Sequence, residues 1–336
     1  MEYGIQEIVL TIIIKTLNEA KNIEAVILSI QKAAVNVKYE IIVADSLSSD
    51  ETVEVACIYP VRVVQLVNPD HRSCGVGAQL GYQVSRGRYI YLLDGDMVCE
   101  PGFIDEALNY LDTHPGVAGV AGDMVELGHG SYEFNNRRRL FEQFAQGEWH
   151  GEKPWLDGGG IYRRSALQDV GYITNRNLHA YEEKELGLRL GVAGWRLVRI
   201  PLLAVHHHGH QDPTMFMLLR RWNTKYVNGG GDFLRASIGT PYFMSAVQEL
   251  AQFLVIGVVL ILTFIAFLLA FWTKVPLLIM VFCVTVFFLM SLARKRGFEA
   301  AIFNMLYLSF WSVGVIRGLI CPQINPASEI PYIVLK

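Results

Sequence analysis

The chain has 336 residues, enough for about two folded units. Hydrophobic side chains make up 52% and charged ones 18%, below the roughly 25% charged of ordinary soluble domains, which argues against a disordered chain or a small disulfide scaffold. The 29 basic and 32 acidic residues leave a net charge of −3, so no bulk pull toward nucleic acid is expected. Cys57, Cys74, Cys99, Cys283 and Cys321 are scattered without a CxxC pair, fit neither a zinc site nor a disulfide framework, and point to a reducing compartment.

The β-branched run 8–14 is too short to span a bilayer. It follows Glu2 and Glu7, where a signal peptide carries positive charge, so a strand buried on both faces is expected. Ile23, Val26, Ile27 and Ile30 then recur at helical spacing. Further strands are predicted over 39–44, 61–67 and 88–93, with helices from 48–52 onward and over 75–85. The alternation predicts an α/β fold, a mostly parallel sheet flanked by helices, with ligands beyond the carboxyl ends of its strands. Polar residues recur there: Thr16, Asn18 and Glu19, then Asp45, then Asp94 and Asp96. No GxGxxG opens the first helix and no GxxxxGK[ST] occurs, which disfavours dinucleotide and P-loop sites. Thr16 to Glu19 and Ser48 to Glu51 also match capping boxes. Asp94 and Asp96 flank Gly95, a pairing that suits a hard divalent ion sharing its shell with phosphates, or a plain turn.

The C-terminal third is apolar. Residues 253–272 are twenty without a charge, 275–293 are nineteen more, and 300–316 add seventeen before Arg317. A hydrocarbon core takes about twenty helical residues, so the first two stretches read as spans. The third, which holds Asn304, spans or dips back. Arg220, Arg221, Lys225 and Arg235 before the first stretch, and Arg294, Lys295 and Arg296 after the second, place the N-terminal region in the cytoplasm, with only Lys274 on the far side. The expected organisation is a catalytic domain over 1–210, amphipathic interfacial helices over 211–249, a membrane region of two or three helices over 250–320 and a tail over 321–336.

Five motifs in order carry a specific resemblance. They are Thr16-Leu17-Asn18-Glu19, residues 45–52 from Asp45 to Thr52, Asp94-Gly95-Asp96, Gly158-Gly159-Gly160-Ile161-Tyr162-Arg163-Arg164 and Glu182-Glu183-Lys184-Glu185-Leu186. On these, residues 8–230 resemble family 2 glycosyltransferases of the GT-A fold. The resemblance implies an inverting, membrane-bound enzyme that moves a sugar from a nucleotide-diphosphate sugar, expected to be UDP-linked, to a hydroxyl of a lipid or lipid-linked glycan. It assigns Thr16, Asn18, Glu19 and Asp45 to the nucleotide, and Gly159 to the sugar diphosphate. It assigns Asp96 and Asp94 to Mg²⁺ or Mn²⁺, with Asp94 also facing the donor ribose. His207 is the expected histidine of the metal shell, with His206 and His208 as one-residue alternatives in the run that ends at His210. Glu183 is the expected general base, with Glu182 as the alternative; a solvated charged helix face is the plainer reading of that run. Arg221-Trp222 match the end of the Gln-x-x-Arg-Trp motif of processive members, but Leu218 stands at the glutamine position. Arg221 is then a diphosphate clamp, or part of an amphipathic helix lying on the membrane. Trp149 and Trp155 flank a glycine-rich loop and are candidates for stacking on a sugar. Gln79 and Leu80 depart from the family's donor-contacting run. A homo-oligomer is compatible with the sequence. The alternatives are a polyprenyl-phosphate glycosyltransferase, a membrane-anchored degenerate sugar-nucleotide binder, and a nucleotidyltransferase.

Overall fold

The computed structural model describes residues 8–127, 149–209, 214–273, 276–293 and 298–336. His210, Lys274, Arg294, Lys295 and Arg296 lie outside the described residues. The chain divides into two units, one of Met1–Thr214 with Gln323–Lys336 and one of Met215–Pro322.

In the first unit the described elements begin β1 (Leu10–Thr16), α1 (Ile23–Ala33), β2 (Tyr39–Asp45), α2 (Thr52–Ile58), β3 (Arg62–Leu66), α3 (Cys74–Val84) and β4 (Tyr89–Asp94). They continue with β5 (Met97–Cys99), α4 (Phe103–Thr113), β6 (Val117–Glu126), β7 (Gly151–Lys153), β8 (Ile161–Arg163), α5 (Arg164–Asp169), α6 (Glu182–Val192), β9 (Arg196–His207) and β10 (Tyr332–Val334). The sheet order is β10-β3-β2-β1-β4-β8-β6-β9-β5, with β7 on β9. β1, β2, β3 and β4 pair in parallel through crossover helices, as the alternation requires. β8 then runs antiparallel to both β4 and β6, β5 and β7 are antiparallel to β9, and β10 is antiparallel to β3. β6 and β9 pair in parallel again, so the sheet is mixed.

Alternate residues of β1 feed opposite faces. Ile12 and Ile14 meet Ile23, Val26, Ile27 and Ile30 of α1, while Ile13 meets Val76, Ala78 and Leu80 of α3. Each of these side chains is fully buried, a contribution of about 1.5–3 kcal/mol for each Ile, Leu or Val. Neither capping box forms. Thr16 closes β1, and α1 starts at Ile23 with Asn22 at the cap position; α2 starts at Thr52 with Glu51 there. Both hydroxyls bond Asp45 instead: strand pairing sets Thr16 against it, and Ser48 reaches back to it from three residues further on.

The glycines of α3 are explained by close approach. A Cβ on Gly81 would sit 2.3 Å from Ile13 Cγ2, and one on Gly75 would sit 2.0 Å from the carbonyl oxygen of Asn175. Gln79 is buried and accepts a hydrogen bond from the Ile173 amide at 3.0 Å, so it serves the fold.

The second unit holds α7 (Thr214–Asn223), a 3₁₀ turn at Tyr226–Asn228, α8 (Gly229–Ser237), α9 (Phe243–Thr273), α10 (Pro276–Ala293) and α11 (Phe298–Ile320). α8 and its preceding turn meet α11 backbone to backbone. A Cβ on Gly231 would lie 2.0 Å from the Val315 carbonyl oxygen, and one on Gly318 2.2 Å from that of Asn228. Such small-residue contacts are a recurrent helix-packing device in membranes. Phe243–Leu269 is long and apolar enough to cross a membrane, while Leu278–Met290 and Asn304–Ile320 are shorter apolar helices. Along the long segment Val255, Val258, Leu262, Phe264 and Phe267 are exposed.

Gly75→Ala is expected to lower stability by about 1–3 kcal/mol, because the opposing group is backbone and cannot rotate away. Gly191→Ala, in α6 with open space at its Cβ position, should be neutral or stabilising by up to about 1 kcal/mol. Thermal unfolding of both variants beside the parent checks this; a parental melting temperature for Gly75→Ala would contradict it.

Candidate active site

Strand register gathers the polar residues. Thr16 pairs with Asp45 and Lys15 with Asp94, so β1, β2 and β4 end at one level. Asp45 is fully buried. Its Oδ1 accepts from Thr16 Oγ1 at 3.1 Å and Ser48 Oγ at 2.5 Å, and its Oδ2 from the Ser48 amide and Gln65 Nε2, both at 2.9 Å. The Asp45 carboxylate is thus engaged within the chain and braces the loop that follows β2. Asn18 is exposed with a left-handed φ of 62°, and its Oδ1 accepts from the Ser49 amide at 2.7 Å. The buried Glu19 donates its amide to Thr52 Oγ1 at 2.8 Å, and its Oε2 accepts from Asn22 Nδ2 at 2.8 Å. Thr16, Asn18, Glu19 and Asp45 thus tie two loops into one rim.

Lys15 occupies the middle of the site. Its Nζ lies 2.8 Å from Asp94 Oδ1, 3.6 Å from Glu183 Oε1 and 3.8 Å from Glu182 Oε1. Burial alone would lower its pKa, but the three surrounding carboxylates outweigh that and hold the ammonium well above its ordinary value. Glu182 and Glu183 occupy the first turn of α6, entered through Tyr181 at φ 68°, where the helix dipole favours negative charge. Burial pushes the Glu183 carboxyl up to about 8, against the pull of Lys15. Burial also raises Glu182. Both carboxylates of the expected pair face the same cation, so position alone does not separate them. Lys15 was missed because a single lysine at the end of an apolar run reads only as the end of a strand.

A second cluster stands at the end of β9. His207 is opposite Met97 in the β5–β9 pair and opposite Glu126 in the β6–β9 pair. Its Nε2 lies 3.3 Å from Oδ2 of the buried Asp96, and its Nδ1 2.7 Å from Glu126 Oε2. Burial disfavours the imidazolium, but these two carboxylates prevail and hold its pKa up at about 10. His206 turns to Glu100 at 2.8 Å, and His208 is exposed, so His207 alone of the three faces Asp96. Asp96 and His207 would offer a divalent ion a carboxylate and, once the ion displaces its proton, an imidazole, with Glu126 on Nδ1 leaving Nε2 toward Asp96. Glu126 Oε1 is buried with no hydrogen-bond partner among the described residues, a polar orphan beside that ring. Among the described residues no group of three or more His, Cys, Asp or Glu forms a closed cage, since Asp94 leans to Lys15. A cation here would complete its shell with phosphate oxygens and water.

Gly158, Gly159 and Gly160 run beside Asp94. Gly159 has φ +84°, and a Cβ on Gly158 would lie 2.5 Å from Met97 Cε and 3.8 Å from Asp94 Oδ2. The tryptophans are engaged by cations: Lys184 Nζ sits 3.9 Å from the Trp155 ring centroid, and Arg199 Cζ 4.3 Å from that of Trp149. Arg221 belongs to the second unit and lies over the Tyr226 ring at 5.1 Å.

Residues 11–171 match the family model Glycosyl transferase family 2. An N-acetylglucosaminyl-diphospho-decaprenol L-rhamnosyltransferase of Mycobacterium tuberculosis is 27% identical over 213 residues, covering 50% of this chain and 66% of that protein, just under two thirds of its length. Among solved structures, mannosyltransferase PcManGT of Pyrobaculum calidifontis, in complex with GDP-Man and Mn²⁺, is similar with a TM-score of 0.56 at 15% identity, covering 94% of this chain and 88% of that one. Residues 1–349 of S. aureus TarS, in complex with UDP-GlcNAc, are similar with a TM-score of 0.52 at 14% identity, covering 93% and 89%. The two structures share the fold, in which a mixed sheet flanked by helices is of the GT-A type. Over residues 11–171, just under half of its length, the chain is similar to glycosyl transferase family 2.

Proposed function

We propose that the chain is an inverting glycosyltransferase that moves a sugar from a nucleotide-diphosphate sugar to a hydroxyl of a lipid-linked glycan at a membrane. The observation that carries this reading is the gathering of Asp94, Glu182 and Glu183 around one buried ammonium, Lys15, at the carboxyl ends of β1 and β4. The rim built by Thr16, Asn18, Glu19 and Asp45 receives the nucleotide, and the backbone at Gly159 lets the sugar diphosphate approach without a Cβ in the way. Asp96, His207 Nε2 and Asp94 would hold Mg²⁺ or Mn²⁺, which offsets the charge of the departing diphosphate when bound.

Glu183 takes the proton from the acceptor hydroxyl. A carboxyl with a pKa of about 8 is a far stronger base than an exposed glutamate once it is ionised. Lys15 keeps its own proton and balances the anion that Glu183 must be to act. A base of this kind favours a hydroxyl acceptor over a phosphate, which is already anionic. The mycobacterial relative is named for transfer to N-acetylglucosaminyl-diphospho-decaprenol, which supports a lipid-linked acceptor. The apolar segment Phe243–Leu269 supports a site held at a bilayer, with the catalytic unit in the cytoplasm on the distribution of basic residues.

Two outcomes test the reading. Purified protein in lipid, offered a panel of UDP-, GDP- and dTDP-sugars with a lipid-linked glycan, should release one nucleoside diphosphate with Mn²⁺ or Mg²⁺, and excess EDTA should abolish release. Release of pyrophosphate would assign a nucleotidyltransferase instead, and full turnover in EDTA would remove the metal. With the active donor, Glu183→Gln should lower kcat by about 10²–10⁴-fold while donor KM stays near parental. The parental kcat should rise with pH and level off above about 8, because Glu183 is protonated and inactive below that value. If Glu182→Gln shows the loss and Glu183→Gln does not, the base is Glu182.

A further inference from the structure

The tail beyond the apolar helices is part of the catalytic sheet. β10 pairs antiparallel with β3, placing Tyr332 opposite Leu66, Ile333 opposite Gln65 and Val334 opposite Val64. The pairing is extended by the Leu335 amide to the Val63 carbonyl at 2.9 Å and the Val63 amide to the Lys336 carbonyl at 3.0 Å. It covers what would otherwise be an open strand edge. Upstream the tail is bolted side chain to backbone. Gln83 and Ile330 exchange two hydrogen bonds at 2.9 and 3.1 Å, and Asn177 and Ile324 exchange two at 2.7 and 2.8 Å. The buried Arg176 donates to the carbonyls of Ser328 and Glu329 and to Ser328 Oγ, at 3.1–3.2 Å. Ile330 is fully buried against Val64, Leu66 and α3.

Backbone hydrogen bonds of this kind require both strands in one compartment. The segment Met215–Pro322 therefore departs from one folded unit and returns to that same unit. We infer that this segment crosses the bilayer an even number of times, so that the tail after Pro322 lies on the same face of the membrane as the active site. The inference rests on the reading, made above, that the apolar helices enter a bilayer. Given that, Phe243–Leu269 supplies one crossing. With three apolar helices the even total is two. One of α10 and α11 makes the return crossing: if α10 returns, α11 stays on the catalytic side, and if α11 returns, α10 stays on the far side. The expectation of two or three spans thereby narrows to two, and the tail acquires a side.

Epitope tags placed before Met1 and after Lys336 of the full chain, in sealed inside-out and right-side-out vesicles treated with external protease, read the outcome. Loss of both tags in the same vesicle orientation, and survival of both in the other, is the expected result. Loss of the two tags in opposite orientations, with the protein retained in the membrane after alkaline carbonate, overturns the even count alone. Release of the chain by alkaline carbonate overturns the membrane reading and the inference with it.

Discussion

One largely enclosed cation, Lys15, holds the candidate site together. Lys15 stands where β1 ends, and three carboxylates from β4 and α6 converge on it. Without it, Asp94, Glu182 and Glu183 would face each other at close range, with repulsion of about 4 kcal/mol for a pair 4 Å apart at the effective dielectric of a partly buried site. Burial raises the pKa of Glu182 and Glu183, while the surrounding carboxylates hold Lys15 cationic. The same ammonium joins Asp94, at the end of β4, to Glu182 and Glu183, at the start of α6. A base with a raised pKa and an adjacent fixed positive charge is the electrostatic pattern expected of a proton-accepting catalytic group.

The sheet sets the positions on which this depends. In-register parallel pairing stops Lys15, Asp45 and Asp94 at one level, and the long β9 carries His207 past β6 and β5 until it meets Asp96. Glu126 then determines which imidazole nitrogen faces Asp96. Behind α6, the segment 174–179 is fixed from two directions. Thr174 Oγ1 donates to the Gly75 carbonyl at 2.7 Å, and the Gly75 amide to the Leu178 carbonyl at 3.0 Å; Arg176 and Asn177 hold the tail. The helix that presents Glu182 and Glu183 is thereby anchored by residues more than 140 positions downstream.

Much of this was legible in the sequence. Apolar β-branched runs announced β1 to β4, and the polar residues at their ends announced a ligand edge. Asp96, His207 and the Glu182-Glu183 pair stood in recognisable order. What could not be read depends on contacts between distant positions. Lys15 gains its meaning only when Asp94 and α6 arrive beside it. Thr16 and Ser48 fit a local capping rule, yet both bond Asp45: pairing across 29 residues sets Thr16 against that carboxylate, and the turn after β2 brings Ser48 back to it from three residues on. Glu126 and the three-residue strand Tyr332–Val334 carry no periodic signal and are defined wholly by their partners. The glycines of α3 are explained by close approach to the Ile13 side chain and to the Asn175 backbone, neither of them a neighbour in sequence.

The account turns on Lys15 acting as the counter-charge to an anionic Glu183. The most direct measurement is the pH dependence of kcat for Lys15→Met beside the parent, with Lys15→Arg as a charge-preserving control. Removing the positive charge removes an influence that lowers the Glu183 pKa, so the rise in kcat should move to higher pH in Lys15→Met and return toward the parental position in Lys15→Arg. A Lys15→Met enzyme with parental rate and an unshifted profile would contradict the account.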